Sequence, residues 1–244
     1  MPAEAAASRL EAVIFDVDGT LAETEECHRE AFNAAFRMHG LAWHWDAPLY
    51  GQLLHVTGGR ERIRAYAALP GTPPGPLDDA ALLDIHRTKN GLYAARARAG
   101  GIPFRPGIAA LLEAAKARGL RLAIATTTSP ENVETLLANQ PDRDWRGHFE
   151  IVMAGDAVMR KKPAPDVYLA ALAGLGLPAA LAIAVEDSRP GLDSARAAGL
   201  ATLITPSLYF AASDFAGAQL VLPLGQPLHL ADLFAAHGAL QNPD

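Results

Sequence analysis

The sequence predicts an α/β chain: a doubly wound, Rossmann-like parallel sheet with an inserted helical unit. Three observations predict it. Short apolar, β-rich runs alternate with amphipathic helical stretches, as when crossover helices cover both faces of a parallel sheet. About a hundred residues separate the first two runs, far more than one crossover needs, and most of them look helical. Chemically capable residues stand directly after several runs, where parallel sheets bind ligands.

Taken in order, the first strand is Val13–Phe15, followed by Asp16, Asp18, Gly19 and Thr20. The insert comes next. Its helices are "ECHREAFNAAFRMHG", "GRERIRAYAAL" and "DDAALLDIHRTKNGLYAARARAGG", with "PGTPPGP" (Pro70–Pro76) a rigid loop between the last two. Hinges are expected near Ala22–Thr24 and at "GGIPFRPG" (Gly100–Gly107), which divides the chain into a core of residues 1–22 and 106–244 and an insert of 23–105. The core resumes with the helix "GIAALLEAAKARG", stopped by Gly119, and the strands Leu122–Ala125 and Ile151–Met153. The helix "APDVYLAALAGLG", with Gly174 as its stop, precedes the strand Ala182–Val185. "PGLDSARAAG", stopped by Gly199, leads to the strand Thr202–Ile204, and the C-terminal stretch reads as a short helix and a loose tail. There is no internal repeat.

Composition narrows the function classes. With 50% hydrophobic residues among 244, the chain can bury a sizeable core. A net charge of −6 without a long basic run argues against a nucleic-acid or anionic-membrane surface. The single cysteine, Cys27, cannot form an internal disulfide and is not in a metal-ligand spacing. "MPAEAAASRLE" has neither a basic n-region nor an apolar h-region, and no apolar run reaches membrane-spanning length. The expectation is a cytoplasmic protein, a monomer or weak dimer, acting on a small molecule.

Four strand ends carry the chemistry. Asp16 and Asp18 follow the first strand, and Thr126, Thr127, Thr128 and Ser129 the second. "AGDAVMRKKPAPD", with Lys161 and Lys162, follows the third, and Glu186 and Asp187 follow the fourth. Two desolvated carboxylates side by side need compensation. A cation chelated by Asp16 and Asp187, with Glu186 close by, supplies it, and hard oxygen ligands favour Mg²⁺. The hydroxyls and the lysine then serve to bind the oxygens of a phosphate. Thr128 and Glu131 read as a capping box with Pro130 in the first turn, a helix start that points free N–H groups at an anion. Taken singly, each element has an ordinary structural reading as a turn, a cap or a solvated loop. Their joint occurrence in this order, each directly after a strand, is what chance does not supply.

At these residues the sequence resembles the haloacid dehalogenase superfamily of phosphotransferases. "DVDGT" is similar to its first motif, Thr126 to its second, Lys162 to its third, and Glu186–Asp187 to its fourth, while the insert is similar to the family's helical cap. The resemblance implies that Asp16 attacks phosphorus to form an aspartyl-phosphate, and that Asp18 protonates the leaving oxygen and then activates water. It implies a Mg²⁺ ion held by Asp16, the Asp18 backbone carbonyl and Asp187, with Thr126 and Lys162 stabilising the transferring phosphoryl group. Asp18 itself favours phosphatase over dehalogenase chemistry, because the dehalogenases lack an acid there. "VTGGRERI", "DIHRTKNGLY", "ATTTS" and "KKPAPDVY" further resemble the CbbY-type sugar phosphatases, whose characterised substrate is xylulose 1,5-bisphosphate.

In the insert, Ile85, Lys89 and Tyr93 recur at i, i+4, i+8, which puts the lysine along a partly apolar stripe. Such a lysine either snorkels to solvent or meets an anion. His28 shares a helix face with Phe32 and Phe36, as a core histidine would, and Arg60 follows Gly58-Gly59. The resemblance turns all four toward the substrate: Arg60 and Lys89 to a distal phosphate, His28 and Tyr93 to the sugar. Thr20, Glu23, Thr127 and Thr128 complete the expected substrate contacts. A β-phosphoglucomutase-like mutase and a phosphoglycolate phosphatase are the enzymatic alternatives, and a non-catalytic phosphometabolite-binding regulator is the alternative outside enzymes. No G-x-G-x-x-G follows the first strand, which disfavours dinucleotide binding.

Overall fold

The structure is a computed structural model, and it describes residues 10–75 and 78–241. The expectations for the N-terminal nine residues, for Pro76 and for the end of the tail lie outside the described residues.

Among the described residues six strands form one parallel sheet: β1 (Ala12–Phe15), β2 (Arg121–Ala125), β3 (Ile151–Met153), β4 (Ala182–Glu186), β5 (Ala201–Ile204) and β6 (Leu220–Val221). Their order is β3-β2-β1-β4-β5-β6. The two faces of β1 are unlike. Val13 and Phe15 pack with Leu122, Ile124, Ile183 and Val185 under α5 (Ile108–Ala117), α6 (Pro130–Ala138) and α9 (Leu230–Gln241). Ala12 and Ile14 lie with Ala123, Ala125, Ala182 and Ala184 against α7 (Asp166–Leu175) and α8 (Arg189–Ala197). With alanines on this second face, helices pack closely, and both faces are buried as a parallel sheet requires. The chain order reverses between β1 and β4, so the crevice outside their carboxyl ends is the expected ligand position.

Among the described residues four helices stand between β1 and α5: α1 (Glu25–Met38), α2 (Ala47–Leu53), α3 (Gly59–Ala67) and α4 (Asp79–Arg98). They share an aromatic core in which Phe32, Phe36, Trp43, Trp45, Tyr50 and Tyr66 meet Ile63, Leu82 and Ile85. Burial of such rings dominates core energetics, at roughly 3–5 kcal/mol per truncation to alanine.

The structure corrects the sequence expectations at four places. Helix α2 was not expected; it starts at Asp46, whose side chain accepts from the Leu49 amide at 2.8 Å. Strand β6 has only two residues, too few to show a period. Helix α7 stops at Gly176 (φ 64°), not Gly174. Gly174 is small for another reason: a Cβ there would lie 3.1 Å from Ile151 of β3. Helix α6 is capped by Ser129, which accepts from the Asn132 amide, instead of by Thr128.

Candidate active site

The end of β1 delivers Asp16 into a buried charge cluster. Lys162 Nζ donates to Asp16 Oδ1 and to Glu186 Oε1, each at 2.6 Å. Glu186 also accepts from the Tyr168 hydroxyl (2.6 Å) and the Asp187 amide (3.2 Å). Asp16, Glu186 and Asp187 are all buried and can bring one oxygen each within 4.8 Å of one another. The Lys162 ammonium thus pairs two of three clustered carboxylates. Burial, then the charges of Glu186 and Asp18, push Asp16 up to about 8 despite Lys162. Burial and the charges of Glu186 and Asp16 push Asp187 well above the usual range. A divalent cation would supply the missing counter-charge, and the all-oxygen donor set fits a hard one.

Gly19 makes the close packing possible. It lies at φ 83°, and a Cβ on it would sit 2.2 Å from Asp187 Oδ2. The loop carrying Asp18 therefore rests directly on the Asp187 carboxylate.

Asp18 has different surroundings. Its Oδ1 accepts from Thr24 Oγ1 at 2.6 Å and lies 3.1 Å from His28 Nε2. Burial opposes its ionisation, but His28, the Thr24 hydrogen bond and Lys89 together hold it below the usual carboxylate range. An ionised carboxylate is acceptor-only, and both contacts fall on the same oxygen, Asp18 Oδ1. His28 is a core histidine in burial and a partner of Asp18 in contact; its ring stacks on Tyr93 with centroids 4.2 Å apart.

A cavity of about 700 Å³ opens above the cluster. The sheet side contributes Asp16, Asp18, Thr126, Thr127, Thr128, Lys162 and Asp187, and the inserted helices contribute His28, Arg60 and Lys89. Lys89 does not snorkel. It is 4% exposed, its ammonium lies 5.0 Å from the Phe32 ring centroid and 5.6 Å from that of Tyr93, and among the described residues it forms no ion pair. Burial pushes it down to about 8, against the pull of Asp18. Arg60 lines the cavity but spends Nη2 on Asp156, at 2.8 and 2.9 Å, across to the sheet side.

Four expected residues do not line the cavity. Glu186 is buried beneath it among its donors, Thr20 is fully buried, Tyr93 is covered by His28, and Glu23 turns toward Arg105, 3.5 Å away. Other lining residues were not expected from the sequence. Glu25, which accepts from the Tyr50 hydroxyl at 2.7 Å, lines the cavity, as do Arg62, Asn90 and Asn132. Only Asn132, three residues after the capping Ser129, had a positional signal. Thr57 Oγ1 donates to the Lys162 carbonyl, and Asn90 to Ser129 Oγ at 3.3 Å, so the inserted helices contact the sheet side on both flanks of the cavity.

The family model for haloacid dehalogenase-like hydrolases matches residues 10–199. The chain belongs to this family. It is 51% identical over 221 residues to the plasmid-borne protein CbbY of Cupriavidus necator, covering 89% of this chain and 87% of that one. Solved structures of CbbY from Rhodobacter sphaeroides superpose with a TM-score of 0.86 at 45% identity, covering 92% of this chain and 99% of theirs. One holds phosphate; another, an Asp-to-Asn variant, holds xylulose 1,5-bisphosphate. A phosphorylated carbohydrates phosphatase of Thermotoga maritima is 28% identical over 193 residues, 78% of this chain and 82% of that one. The family member described here is a phosphatase, and its Rossmann-like sheet is the family fold. Among the described residues no helix is long and apolar enough to cross a membrane.

Proposed function

We propose that the protein removes one phosphate from a small sugar bisphosphate, with xylulose 1,5-bisphosphate the best-fitting substrate. The observation that carries this reading is Lys89, a buried ammonium that lines the cavity and forms no ion pair among the described residues. A desolvated cation requires an anion, and Asp16 at the other side already accounts for one phosphate. The bisphosphate complex of the Rhodobacter sphaeroides protein supports the choice of sugar.

Asp16 attacks phosphorus, and the Asp16 Oδ–P bond forms as the bond to the sugar oxygen breaks. Thr126 and Lys162 meet the oxygens of the transferring group, while Thr127 and Thr128 hold it from the α6 side. Asp18 gives the leaving oxygen a proton, then takes one from the water that hydrolyses the aspartyl-phosphate. Mg²⁺, held by Asp16, Asp187 and the Asp18 carbonyl, with Glu186 orienting Lys162 beside it, would supply charge neutralisation of the phosphate oxygens. Residues 23–105 act as the cap that excludes water, and 1–22 with 106–244 as the core.

The test is phosphate release from xylulose 1,5-bisphosphate, ribulose 1,5-bisphosphate, fructose 1,6-bisphosphate, β-glucose 1-phosphate and phosphoglycolate, with Asp16→Asn as the blank. Strong preference for the first over the second is expected. Highest turnover of phosphoglycolate or β-glucose 1-phosphate would overturn the reading.

Two further outcomes follow from the electrostatics. Lys89→Ala should raise KM for the bisphosphate about tenfold or more, and for a small monophosphate less than about threefold, the difference being one charge-assisted contact. The parent's kcat/KM for the bisphosphate should fall as pH rises through about 8, because the Lys89 ammonium loses its proton there, and Lys89→Ala should lack that limb. Equal KM effects on both substrates would remove the two-phosphate model.

The second outcome concerns the metal. With Asp16 raised from 3.8 to about 8, the folded chain holds a proton over this window that the unfolded chain has released. Stability in chelator therefore falls as pH rises across the window. Mg²⁺ should restore it most at the alkaline end. Melting temperatures at both ends, with Mg²⁺ and with chelator, check this; equal Mg²⁺ effects at both ends would contradict it.

A further inference from the structure

Arg105 belongs to no motif and lies in the second connection between the inserted helices and the sheet, yet it is only 8% exposed. Its guanidinium does not chiefly serve a carboxylate. Nη1 donates to the Gly19 carbonyl and to the Thr205 carbonyl (2.8 Å), and Nη2 to the Pro206 carbonyl (3.0 Å). Its ion pair among the described residues is with Glu23, 3.5 Å from Nε, whose side chain is a third exposed. A buried fork of donors is thus spent on backbone oxygens of two separate loops, one carrying Asp18 and the other following β5.

The local backbone shows what this clamps. The Arg105 amide donates to the Leu21 carbonyl at 2.8 Å, Phe104 bridges Ala22, and Ala22 bridges Asp18. The two connections to the inserted helices therefore run side by side, and the Asp18 loop is fastened to both. The same loop has no slack on its other side, where the missing Cβ of Gly19 leaves room for Asp187 Oδ2 and Ser207 Cβ. The height of Asp18 over Asp16 is set between these two constraints, and Arg105 supplies the one that comes from the cap junction.

We propose that Arg105 is a positioning residue that holds Asp18 in register with the leaving oxygen by clamping the Gly19 carbonyl to the loop after β5. This rests on the reading of Asp18 as the acid that protonates the sugar oxygen while the Asp16–phosphorus bond forms. A displacement of the acid by about an ångström is enough to cost on the order of 10²-fold. A neutral side chain of similar length cannot reach three carbonyls, and lysine can satisfy them only as a point charge.

The leaving group separates this role from a structural one. Aryl phosphates depart without a proton and alkyl phosphates need one, and kcat/KM reports the steps up to loss of the leaving group. We would measure kcat/KM on p-nitrophenyl phosphate and on the sugar phosphate hydrolysed best, for the parent, Asp18→Asn, Arg105→Gln and Arg105→Lys. Asp18→Asn should lose on the order of 10²–10⁴-fold on the sugar phosphate and far less on the aryl ester. Arg105→Gln should lose about 10- to 100-fold on the sugar phosphate and less than about threefold on the aryl ester, with Arg105→Lys between. Both rates come from one preparation, so the folded fraction cancels in their ratio. If Arg105→Gln yields no folded protein, the same excess loss on the sugar phosphate is required of Arg105→Lys. Equal losses on both substrates in the Arg105 variants, beside a discriminating Asp18→Asn, would overturn the positioning role. An Asp18→Asn variant that fails to discriminate would instead overturn the reading of Asp18, and the proposal with it.

Discussion

Asp16→Asn should lower phosphate release by about 10⁴-fold or more, the scale seen when a nucleophile is removed, while leaving a folded protein. The loss is chemical: an amide oxygen in the same place cannot form the acyl phosphate. The folded state tolerates the change because Asp16 shares the Lys162 ammonium with Glu186 and stands close to Asp187, which that ammonium does not pair. An uncharged amide removes the burial penalty and the like-charge repulsion that push Asp16 up to about 8, and it removes one of the charges that, after burial, hold Asp187 well above its usual range. Lys162 keeps Glu186 as its partner. The metal-free variant should therefore melt no lower than the parent at the alkaline end of that range, and its melting temperature should depend less on pH. Bisphosphate binding should persist, since Lys89 and Arg60 are untouched. Residual turnover near the parent level would show that Asp16 is not the nucleophile.

Lys162→Met should damage stability and activity together. Lys162 is 5% exposed, and its ammonium is the cation shared by Asp16 and Glu186. Methionine fills much of the volume but strands those carboxylates, leaving Glu186 chiefly the Tyr168 hydroxyl and the Asp187 amide. Breaking a buried pair in this way costs about 3–5 kcal/mol, which lowers Tm by roughly 6–20 °C in a chain of this size. The deficit should shrink as pH falls, because protonated carboxyls no longer need the ammonium, and Mg²⁺ should recover part of it. Phosphate release should fall by on the order of 10³-fold, the effect of losing an electrostatic contact to the transferring group. Thermal denaturation of parent and variant at two pH values, in chelator and in Mg²⁺, reads out the stability effects, and the phosphate-release assay reads out the activity. A variant as stable as the parent in chelator would mean that the Lys162 cluster does not hold the strand ends together.

What was legible in the sequence follows from where signals reside. Five of the six strands were readable because each is a short apolar run that ends in a polar residue or a turn, whereas β6, at two residues, has no period. The core side of the site was readable for the same reason: Asp16, Thr126 and Asp187 come directly after buried strands, and Lys162 lies in the loop after β3. Lys89 was visible as a charge on an apolar helical stripe, and the structure buries it there. Arg105 left no trace, since an arginine whose partners are backbone carbonyls of loops distant in sequence has neither spacing nor charge pattern to announce it. Tyr50 and Glu25 were hidden similarly, their contact spanning 25 residues of chain. Helix capping was off by one residue at Ser129, because Thr128 and Ser129 are equivalent caps in composition and only the backbone angles choose between them.

The stereochemical course at phosphorus tests the central claim, that Asp16 takes the phosphoryl group before water does. A sugar phosphate made chiral at phosphorus with oxygen isotopes would be hydrolysed, and the configuration of the released phosphate determined. Two in-line displacements, by Asp16 and then by water, predict net retention. Inversion would mean that water attacks the substrate directly, and would contradict the role assigned to Asp16.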